Sequence, residues 1–342
     1  MINKMDNLQT ILVNKIKKEV NKMKKELSYM ETLSIISEIK QTFEKQLEKR
    51  LDLIKVPSPL FVKRDSGLQD GLSGTEKAVS FVKGDEYFEI VHSLAKWKRD
   101  ALGRYQFPMH KGILTDMKAI RKEEVVDDIH SVFVEQWDWE KVISKEDRTI
   151  SFLEETVQSI YKAMRETLKC VKQKHHFIDA MLPKKVTFIT SQELEDMYPS
   201  LTPSEREQVF TKDKKAVFII GIGDKLKSGS PHDKRSPDYD DWSLDGDLLF
   251  YDKAIGKAME MTSMGIRVSE DSLVAQLKKA GVLERKPYHQ MVIEKKLPYT
   301  IGGGIGQSRL AMFILSKTHI AEVQASTWED ITLSFLKEKM IL

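Results

Sequence analysis

The sequence predicts an α+β protein in which a largely antiparallel sheet is flanked by helices. Residues 1–56 contain neither glycine nor proline, and their apolar residues recur every three or four positions, as in a long amphipathic helix. Residues 129–139 instead alternate polar and apolar side chains, which is typical of a half-buried strand. The predicted strands and helices do not follow a strict strand–helix–strand alternation, so a parallel sheet is not expected.

The first helix is expected to end at the first proline, Pro57, with a break allowed between Ser28 and Ser34. The elements expected after it are, in order, an extended run over 59–62, a glycine-punctuated loop over 66–75, strand material over 81–91, a helix over 93–102, the strand of residues 129–139 and a helix over 152–175.

Short buried strands and two unusual loops are expected in the remaining part. These elements are strands over 186–190 and 216–220 with a helix opened by Ser191 between them, an aspartate-rich loop over 237–247, a strand over 248–251, a glycine-rich element over 299–306 and a helix over 308–316.

The composition is that of an ordinary soluble globular protein, with 41% hydrophobic and 31% charged residues. No apolar run is long enough to span a bilayer and no signal peptide opens the sequence, so we expect a cytoplasmic protein that does not bind membranes. The single cysteine, Cys170, cannot form an internal disulfide or a zinc cluster. Residues 1–25 hold seven lysines against Asp6 and Glu19, a local charge of +5. A solvated helix face is favoured there over a nucleic-acid or lipid surface, because no aromatic residues are interleaved.

Several nucleotide and metal motifs are excluded by their spacing. Leu226 and Gln307 stand where the two glycine stretches, 221–223 and 302–306, would need the third glycine of a dinucleotide-binding fingerprint. No P-loop motif occurs. Residues 241–252 match a calcium loop only in part, because Leu249 stands at an oxygen-ligand position.

Three separated segments, taken in order, carry the signal for function. The first is the end of the long helix, running into Pro59; the second holds Arg121 and Glu123 ahead of the predicted strand; the third is the glycine-rich stretch that ends in Arg309. In this order the segments resemble motifs 1, 2 and 3 of the class II aminoacyl-tRNA synthetases. The resemblance implies attack of a carboxylate on the α-phosphate of ATP, which concentrates negative charge that a guanidinium can bind bidentately.

Further stretches resemble the aspartate and asparagine branch of that class, and almost the whole chain from about Ser34 resembles the asparagine synthetase A family, which is ammonia-dependent. The stretches that carry the resemblance are residues 69–74, 92–99, 136–140, 237–242, 247–249, 260–267 and 302–309. The strand-rich anticodon-binding domain of the aspartyl-tRNA synthetases has no counterpart in the helical residues 1–56.

This resemblance implies a single class II synthetase-like catalytic domain over residues 31–342, preceded by a helical extension over residues 1–30. It implies a homodimeric ligase that makes L-asparagine from L-aspartate, ATP and ammonia through a β-aspartyl-adenylate, releases AMP and pyrophosphate, and does not act on tRNA. The alternative is an aminoacyl-tRNA synthetase-like enzyme that activates aspartate without an anticodon domain of its own. Ammonia is the expected nitrogen donor because Cys170 lies outside every motif and Ile2 follows Met1, which leaves no cysteine nucleophile for a glutamine-dependent reaction.

The resemblance also assigns roles to individual residues. The implied catalytic residues are Arg121, Asp70, Asp240 and Arg309, with Asp70 or Asp240 as the base for ammonium. The implied aspartate-binding residues are Asp70, Ser93, Lys98, Arg121, Gln136, Asp138, Arg235, Asp240, Ser263 and Arg267. The implied ATP- and AMP-binding residues are Arg121, Glu260, Gly302, Gly304, Gly306 and Arg309. The implied magnesium ligands are Asp247 and Glu260, because Mg²⁺ prefers one or two carboxylates together with phosphate oxygens.

Some of the conspicuous residues have ordinary structural interpretations. Trp137 and Trp139 are expected in the core rather than against a substrate. Three further aspartates, Asp238, Asp241 and Asp245, are as compatible with a solvated loop as with a functional role. For His92, a hydrogen-bonded buried histidine is favoured over a catalytic one.

Overall fold

The structure is a computed structural model that describes residues 27–337 and 339–342. Most of the extension predicted over residues 1–30 therefore lies outside the described residues.

The helices are, in chain order, α1 (Tyr29–Leu51), α2 (Ala95–Arg104), α3 (Ile150–Lys174), α4 (Ser191–Met197), α5 (Pro203–Lys214), α6 (Glu270–Lys279), α7 (Pro287–Ile293), α8 (Gln307–Leu315) and α9 (Asp330–Phe335), with 3₁₀ turns at Arg64–Ser66 and Ile320–Glu322. The strands are β1 (Leu53–Lys55), β2 (Phe61–Lys63), β3 (Ser80–Lys83), β4 (Glu86–Ile90), β5 (Gly112–Ile120), β6 (Phe133–Val142), β7 (Thr187–Thr190), β8 (Ala216–Ile220), β9 (Asp240–Asp252), β10 (Lys257–Arg267) and β11 (Thr300–Gly306).

Helix α1 confirms the predicted amphipathic helix and begins where the sequence allows a break. The Ser28 hydroxyl accepts the backbone N–H of Glu31, and the Glu31 carboxylate accepts that of Ser28, which forms a capping box. The prediction that the helix extends to Pro57 is wrong. Asp52 adopts a left-handed conformation with φ 60° and donates its N–H to the carbonyl of Glu48, which ends the helix and lets β1 form before the proline.

Within the described residues, eight strands form one large sheet in the order β1-β5-β6-β11-β10-β9-β8-β7. The six inner strands pair antiparallel, and only the two edge strands pair parallel, β1 with β5 and β7 with β8. The predicted largely antiparallel sheet with flanking helices is confirmed. A separate antiparallel sheet, in the order β2-β4-β3, lies before α2.

One face of the large sheet packs against α1, α3 and α8 to form the main core. Trp137 and Trp139 of β6 are 1% and 0% exposed, and the ring of Trp137 lies 4.6 Å from that of Phe43 on α1. Each indole removes about 200 Å² from water, which contributes up to ~5 kcal/mol. The core interpretation of both tryptophans is confirmed. Because side chains alternate along a strand, Gln136 and Asp138 face the opposite side of the sheet.

Two predicted elements are each divided in two. The strand material over 81–91 is a hairpin of β3 and β4, which turns at Gly84 with φ 62°. The helix predicted between β7 and β8 is a pair of helices, α4 and α5; α4 begins at Ser191, as predicted, and Thr190 caps it. Strand β10 was not predicted at all.

The aspartate-rich stretch over 237–247 is not the predicted loop, because β9 begins at Asp240 and pairs with both β8 and β10. Aspartate is disfavoured in strands, and sequence reasoning therefore assigned a loop. Asp241 and Asp245 of this strand are only 7% and 2% exposed, and the preceding Asp238 is 7% exposed. The interpretation of these three aspartates as solvated loop residues is wrong.

Within the described residues, no helix combines the length and the apolar character that crossing a membrane requires.

Candidate active site

A cavity of about 310 Å³ opens on the face of the large sheet that Gln136 and Asp138 line, opposite the tryptophan core. Its floor is formed by β6, β11, β10 and the start of β9, and its walls by the start of α2 and the segments around Arg121 and Arg235. The side chains in it are mainly polar and of both charge signs. Such a concave site with convergent polar groups is the expected form of a binding site for a charged small molecule.

Most of the residues predicted for the site meet at this cavity. Those that line it are Ser93, Lys98, Arg121, Gln136, Asp138, Arg235, Asp240, Glu260, Ser263, Arg267, Gly304, Gly306 and Arg309. Three predicted residues, Asp70, Asp247 and Gly302, do not line it.

A β-bulge in β10 brings both even- and odd-numbered residues of this strand to the cavity. Leu249 of β9 pairs with Glu260 and the next residue back, Leu248, pairs with Thr262, so one residue of β10 is extra. Without the bulge, Glu260 and Ser263 would project to opposite faces. With it, both line the cavity.

The glycines of β11 keep the floor flat where neighbouring side chains cross it. A Cβ at Gly304 would lie 2.6 Å from Oδ1 of Asp138 and 2.7 Å from Oε1 of Gln136. A Cβ at Gly302 would lie 1.9 Å from Oε2 of Glu140. These positions exclude side chains, so β11 lets polar groups of β6 lie over its backbone.

Two guanidinium groups at one end of the cavity have spare hydrogen-bonding capacity. Arg121 directly follows β5 and makes two long bonds, 3.3 and 3.4 Å, to the carbonyl of His92. Arg309, on the first turns of α8, donates to the carbonyl of Glu260 at 2.8 Å and lies 3.6 Å from its carboxylate. A guanidinium has five donors, so both groups can still bind phosphate or carboxylate oxygens.

The other end of the cavity holds an ammonium–carboxylate pair. Nζ of Lys98 lies 3.4 Å from Oδ2 of Asp138 and donates to the carbonyl of Gly303 at 3.1 Å. Oδ1 of Asp138 is buried and has no hydrogen-bond partner among the described residues. An acceptor left without a donor is costly in the interior, so this oxygen is suited to an ammonium group of a ligand.

A fully buried ion network forms the back wall. Arg267 donates from Nε and Nη2 to the two carboxylate oxygens of Glu140, at 2.9 and 2.7 Å, and from Nη1 to Asp240. Arg267, Glu140 and Asp240 are 2%, 0% and 3% exposed. Burial raises the pKa of the Asp240 carboxyl above its usual range, although Arg267 opposes the shift.

Asp70 lies behind the cavity wall, not in it. Its carboxylate accepts the hydroxyl of Ser93 and the backbone N–H groups of Ala95, at 2.6 Å, and Lys96, at 3.2 Å. Asp70 is fully buried, and burial raises its pKa while Lys96 and Ser93 act against the rise. In this position Asp70 caps the start of α2 and orients Ser93, which does line the cavity.

Asp247 and Arg235, predicted for two different ligands, form an ion pair with each other. Burial raises the pKa of Asp247, with Arg235 acting against the rise and Glu260 adding to it. Oδ1 of Asp247 is buried without a hydrogen-bond partner in the described part of the chain. No group of three or more metal-ligating side chains occurs among the described residues. Two carboxylates nevertheless suit Mg²⁺, which can take its other ligands from phosphate and water.

His92 has the structural role that its sequence context favours. It is 1% exposed, its Nδ1 lies 3.2 Å from the carbonyl of Asp70, and its backbone N–H donates to Gln69 at 3.1 Å. Burial lowers the pKa of His92, and the ring does not line the cavity.

Many residues of the cavity lining are not among the predicted site residues, for example Glu76, His130 and Tyr239. Glu76 is tied to the glycine loop through the N–H of Ser73, at 3.2 Å, and Tyr239 donates its hydroxyl to the carbonyl of Leu72 at 3.3 Å. His130 lies near the start of the predicted strand over residues 129–139, and this position could have marked it as a site residue. Glu76 belongs to no motif that the sequence analysis used.

Comparisons with known proteins found a matching family model and several similar relatives. The family model described as aspartate-ammonia ligase matches residues 30–340. The aspartate–ammonia ligase of Clostridium tetani is 53% identical over 318 residues, which cover 92% of this chain and 93% of the relative. That of Clostridium perfringens is 56% identical over 320 residues, which cover 92% of this chain and 95% of the relative. That of Lactobacillus johnsonii is 53% identical over 308 residues, which cover 88% of this chain and 92% of the relative.

Solved structures show the same fold at much lower sequence identity. The asparaginyl-tRNA synthetase of Pyrococcus horikoshii complexed with asparaginyl-adenylate is 16% identical with a TM-score of 0.62, and the match covers 85% of this chain and 67% of that chain. The aspartyl-tRNA synthetase of Entamoeba histolytica is 16% identical with a TM-score of 0.57, and the match covers 88% of this chain and 58% of that chain. The predicted class II synthetase-like fold is confirmed.

Proposed function

This chain belongs to the aspartate–ammonia ligase family, and from that premise we propose that its cavity converts L-aspartate, ATP and ammonia into L-asparagine through a β-aspartyl-adenylate. In the first step an oxygen of the β-carboxylate attacks the α-phosphorus, and pyrophosphate leaves. In the second step the nitrogen of ammonia attacks the β-carbonyl carbon, AMP leaves with the carboxylate oxygen, and one proton passes to a base. The solved asparaginyl-tRNA synthetase with the same fold is complexed with an adenylate of the same chemical class.

One observation carries this assignment: the guanidinium groups of Arg121 and Arg309 face one cavity that also holds the Lys98–Asp138 pair. The guanidiniums suit the α-phosphate with the reacting carboxylate and the distal phosphates, respectively. The flat backbone at Gly304 and Gly306 leaves room for the nucleotide. The catalytic gain then comes from positioning and from neutralising charge that develops in the transition state.

Aspartate belongs at the end of the cavity opposite the phosphates. Oδ1 of Asp138, which no described residue binds, and the amide oxygen of Gln136 suit the α-ammonium group, and the cations Lys98 and Arg267 suit the carboxylates. Ser93 and Ser263 add hydroxyl donors on either side of this end. Arg235 is a candidate for the same ligand only when it is released from Asp247.

We assign the base for ammonium to Asp240 in preference to Asp70. Asp240 lines the cavity, whereas the oxygens of Asp70 are already occupied by donors from the start of α2. The raised pKa of Asp240 makes its carboxylate a stronger base than an ordinary aspartate.

Mg²⁺ is proposed at Asp247 and Glu260, next to the site assigned to the phosphates. When bound there it would neutralise charge on ATP and on the leaving pyrophosphate. If this is correct, Asp247→Asn weakens the binding of Mn²⁺, measured by electron paramagnetic resonance in the presence of ATP. Unchanged binding in this variant would contradict the assignment.

A homodimer is proposed from the edge strand β1. Among the described residues no strand pairs with its outer side, and its Ile54 is 59% exposed beside a shallow cleft lined by Val56 and Pro57. A second copy would cover this edge. Action in the cytoplasm, without tRNA and without a membrane, remains part of the proposal.

The test is a product assay with purified protein and no RNA. Aspartate, Mg²⁺ and ATP alone should support exchange of pyrophosphate into ATP, and added ammonium should yield AMP and free asparagine in equal amounts. Glutamine in place of ammonium, with free ammonia scavenged, should yield no asparagine. Aspartylated tRNA without free asparagine would instead favour the synthetase-like alternative.

A further inference from the structure

Three polar residues meet in the interior just outside the cavity. Lys96 belongs to the first turn of α2, Asp238 precedes β9, and His289 belongs to α7. They are 1%, 7% and 2% exposed, and none of them lines the cavity. The reaction proposed above uses none of the three.

The carboxylate of Asp238 is the centre of this cluster. Its Oδ2 accepts Nζ of Lys96 at 2.8 Å and lies 3.0 Å from Nε2 of His289, and its Oδ1 accepts the hydroxyl of Ser236 at 2.8 Å. Nδ1 of His289 accepts the backbone N–H of Lys286 at 3.2 Å, so the ring proton lies on Nε2 and is donated to Asp238. Burial acts against ionisation of Asp238, but Lys96 and His289 outweigh it and hold its pKa below the usual range.

The cluster joins the two walls of the site assigned to aspartate. On one wall, Lys96 is three residues from Ser93 and two from Lys98, and both of these line the cavity. On the other wall, Asp238 directly precedes Tyr239 and Asp240, which also line it. No covalent connection shorter than about 140 residues links these walls, so the Lys96–Asp238 bond sets their spacing directly.

Stability alone does not explain why these residues are polar. Apolar residues of similar volume often replace a buried ion pair at no loss of stability. A carboxylate that accepts three directed hydrogen bonds does, however, fix the relative position of the elements that donate them, which apolar contacts do less specifically.

We propose that Lys96, Asp238 and His289 are positioning residues that hold the two aspartate-facing walls at their working separation and thereby set the affinity for aspartate. This inference rests on the proposed function of the cavity. The cluster lies at the aspartate end, so binding of ATP at Arg121, Arg309 and the glycine strand is expected to be independent of it.

The experiment is the aspartate-dependent exchange of pyrophosphate into ATP, with KM measured separately for aspartate and for ATP. His289→Ala removes one donor to a buried carboxylate and should raise the KM for aspartate about tenfold, while the KM for ATP stays within about twofold. His289→Gln keeps a donor at nearly the same place and should recover the KM to within about threefold of the natural protein. Asp238→Asn should raise the KM for aspartate more than His289→Ala does, because it removes the carboxylate that the buried Nζ of Lys96 binds.

Glu195→Gln is the matched control for a weakened buried ion pair. Glu195 and Arg206 are 6% and 5% exposed, lie 3.4 Å apart and join α4 to α5, and neither residue lines the cavity. This variant should leave both KM values unchanged. Should His289→Ala fail to fold, as judged by circular dichroism and gel filtration, His289→Asn takes its place because its shorter amide does not reach Asp238.

Three results would overturn the inference: an unchanged KM for aspartate in a folded His289 variant, equal rises for aspartate and ATP, or a fall in kcat alone. Natural protein without any aspartate-dependent exchange would refute the proposed function instead. Calorimetric titration with aspartate then still tests the cluster, because a loss of affinity in His289→Ala that His289→Gln restores does not require turnover.

Discussion

Replacement of Gly302 by alanine tests whether the glycine strand holds up the back wall of the cavity. The new Cβ would lie 1.9 Å from Oε2 of Glu140 and 2.6 Å from the carbonyl oxygen of Trp139. Real Cβ atoms stay at least 3.0 Å from other atoms, so the Glu140 carboxylate must move by about 1.1 Å or more. The carbonyl, at 2.6 Å against the 3.0 Å limit, would have to move by about 0.4 Å, although the pairing of β6 with β11 holds it in place.

The displaced carboxylate is the one that Arg267 binds at 2.7 and 2.9 Å. A shift of this size away from Arg267 takes both bonds out of hydrogen-bonding range and leaves Asp240 as the remaining carboxylate on the buried guanidinium. Breaking a buried ion pair costs about 3–5 kcal/mol. A chain of 342 residues has an unfolding entropy of about 0.7 kcal/mol/K, so the melting temperature should fall by about 4–7 °C.

The matched control is Gly306→Ala, on the same strand and the same face. Its Cβ would come no closer than 3.4 Å, to the Cβ of Arg309, which is an ordinary contact. Differential scanning calorimetry should show a melting temperature within about 2 °C of the natural protein for Gly306→Ala. Gly302→Ala should also raise the KM for aspartate, because Arg267 in turn holds Asp240. Equal melting temperatures of the two variants would contradict the role assigned to Gly302.

Three further variants test the assigned roles. Arg121→Lys should lower pyrophosphate exchange by about 100-fold or more, because a point charge does not bind two oxygens in a fixed plane. It should leave the melting temperature unchanged, since the bonds of Arg121 to the described residues are two long ones. Loss of stability in step with activity would contradict this. Asparagine formation by the natural protein should fall as the pH drops through the raised pKa of Asp240, because the base must be ionised. Asp240→Asn should reduce asparagine formation more than it reduces pyrophosphate exchange, and equal losses would argue against a base. Burial alone would raise the pKa of Glu270, but its hydrogen bonds to backbone, Lys295 and Tyr299 lower it from 4.5 to about 2. At pH 7 the natural protein should therefore have a higher melting temperature than Glu270→Gln, and this difference should vanish as the pH falls from about 4.5 to about 2. A constant difference over this range would refute the lowered pKa of Glu270.

The elements that could be predicted are those whose pattern follows directly from backbone geometry. Strand β6 has a two-residue alternation that separates Trp137 from Gln136, and the structure places these side chains on opposite faces. Helix α1 has a three-to-four-residue spacing, and β11 has glycines that only a close approach of neighbouring groups requires.

Strand β10 could not be predicted for a physical reason. Its cavity residues Glu260, Ser263 and Arg267 do not share one two-residue period, because an extra residue in the strand changes the phase between the first two. A bulge has no reliable signature in a single sequence, and it is defined by the partner strand. The same holds for β9, whose aspartates become compatible with a strand only because cations from distant segments, such as Arg148 for Asp241, lie against them.

The candidate site shows where reasoning from motifs reaches its limit. Asp70 and Ser93 occur in stretches that carry the family resemblance equally well, and this resemblance assigns both of them to the substrate. The structure separates them, because the Ser93 hydroxyl lies between the Asp70 carboxylate and the cavity. Arg235 and Asp247 are likewise assigned to different ligands, yet in the structure each neutralises the other. Residue identity and spacing along the chain therefore select the residues of a site. Which of them line the cavity and which lie behind its wall depends on contacts between segments more than twenty residues apart, such as those of Asp70 with Ser93 and Ala95.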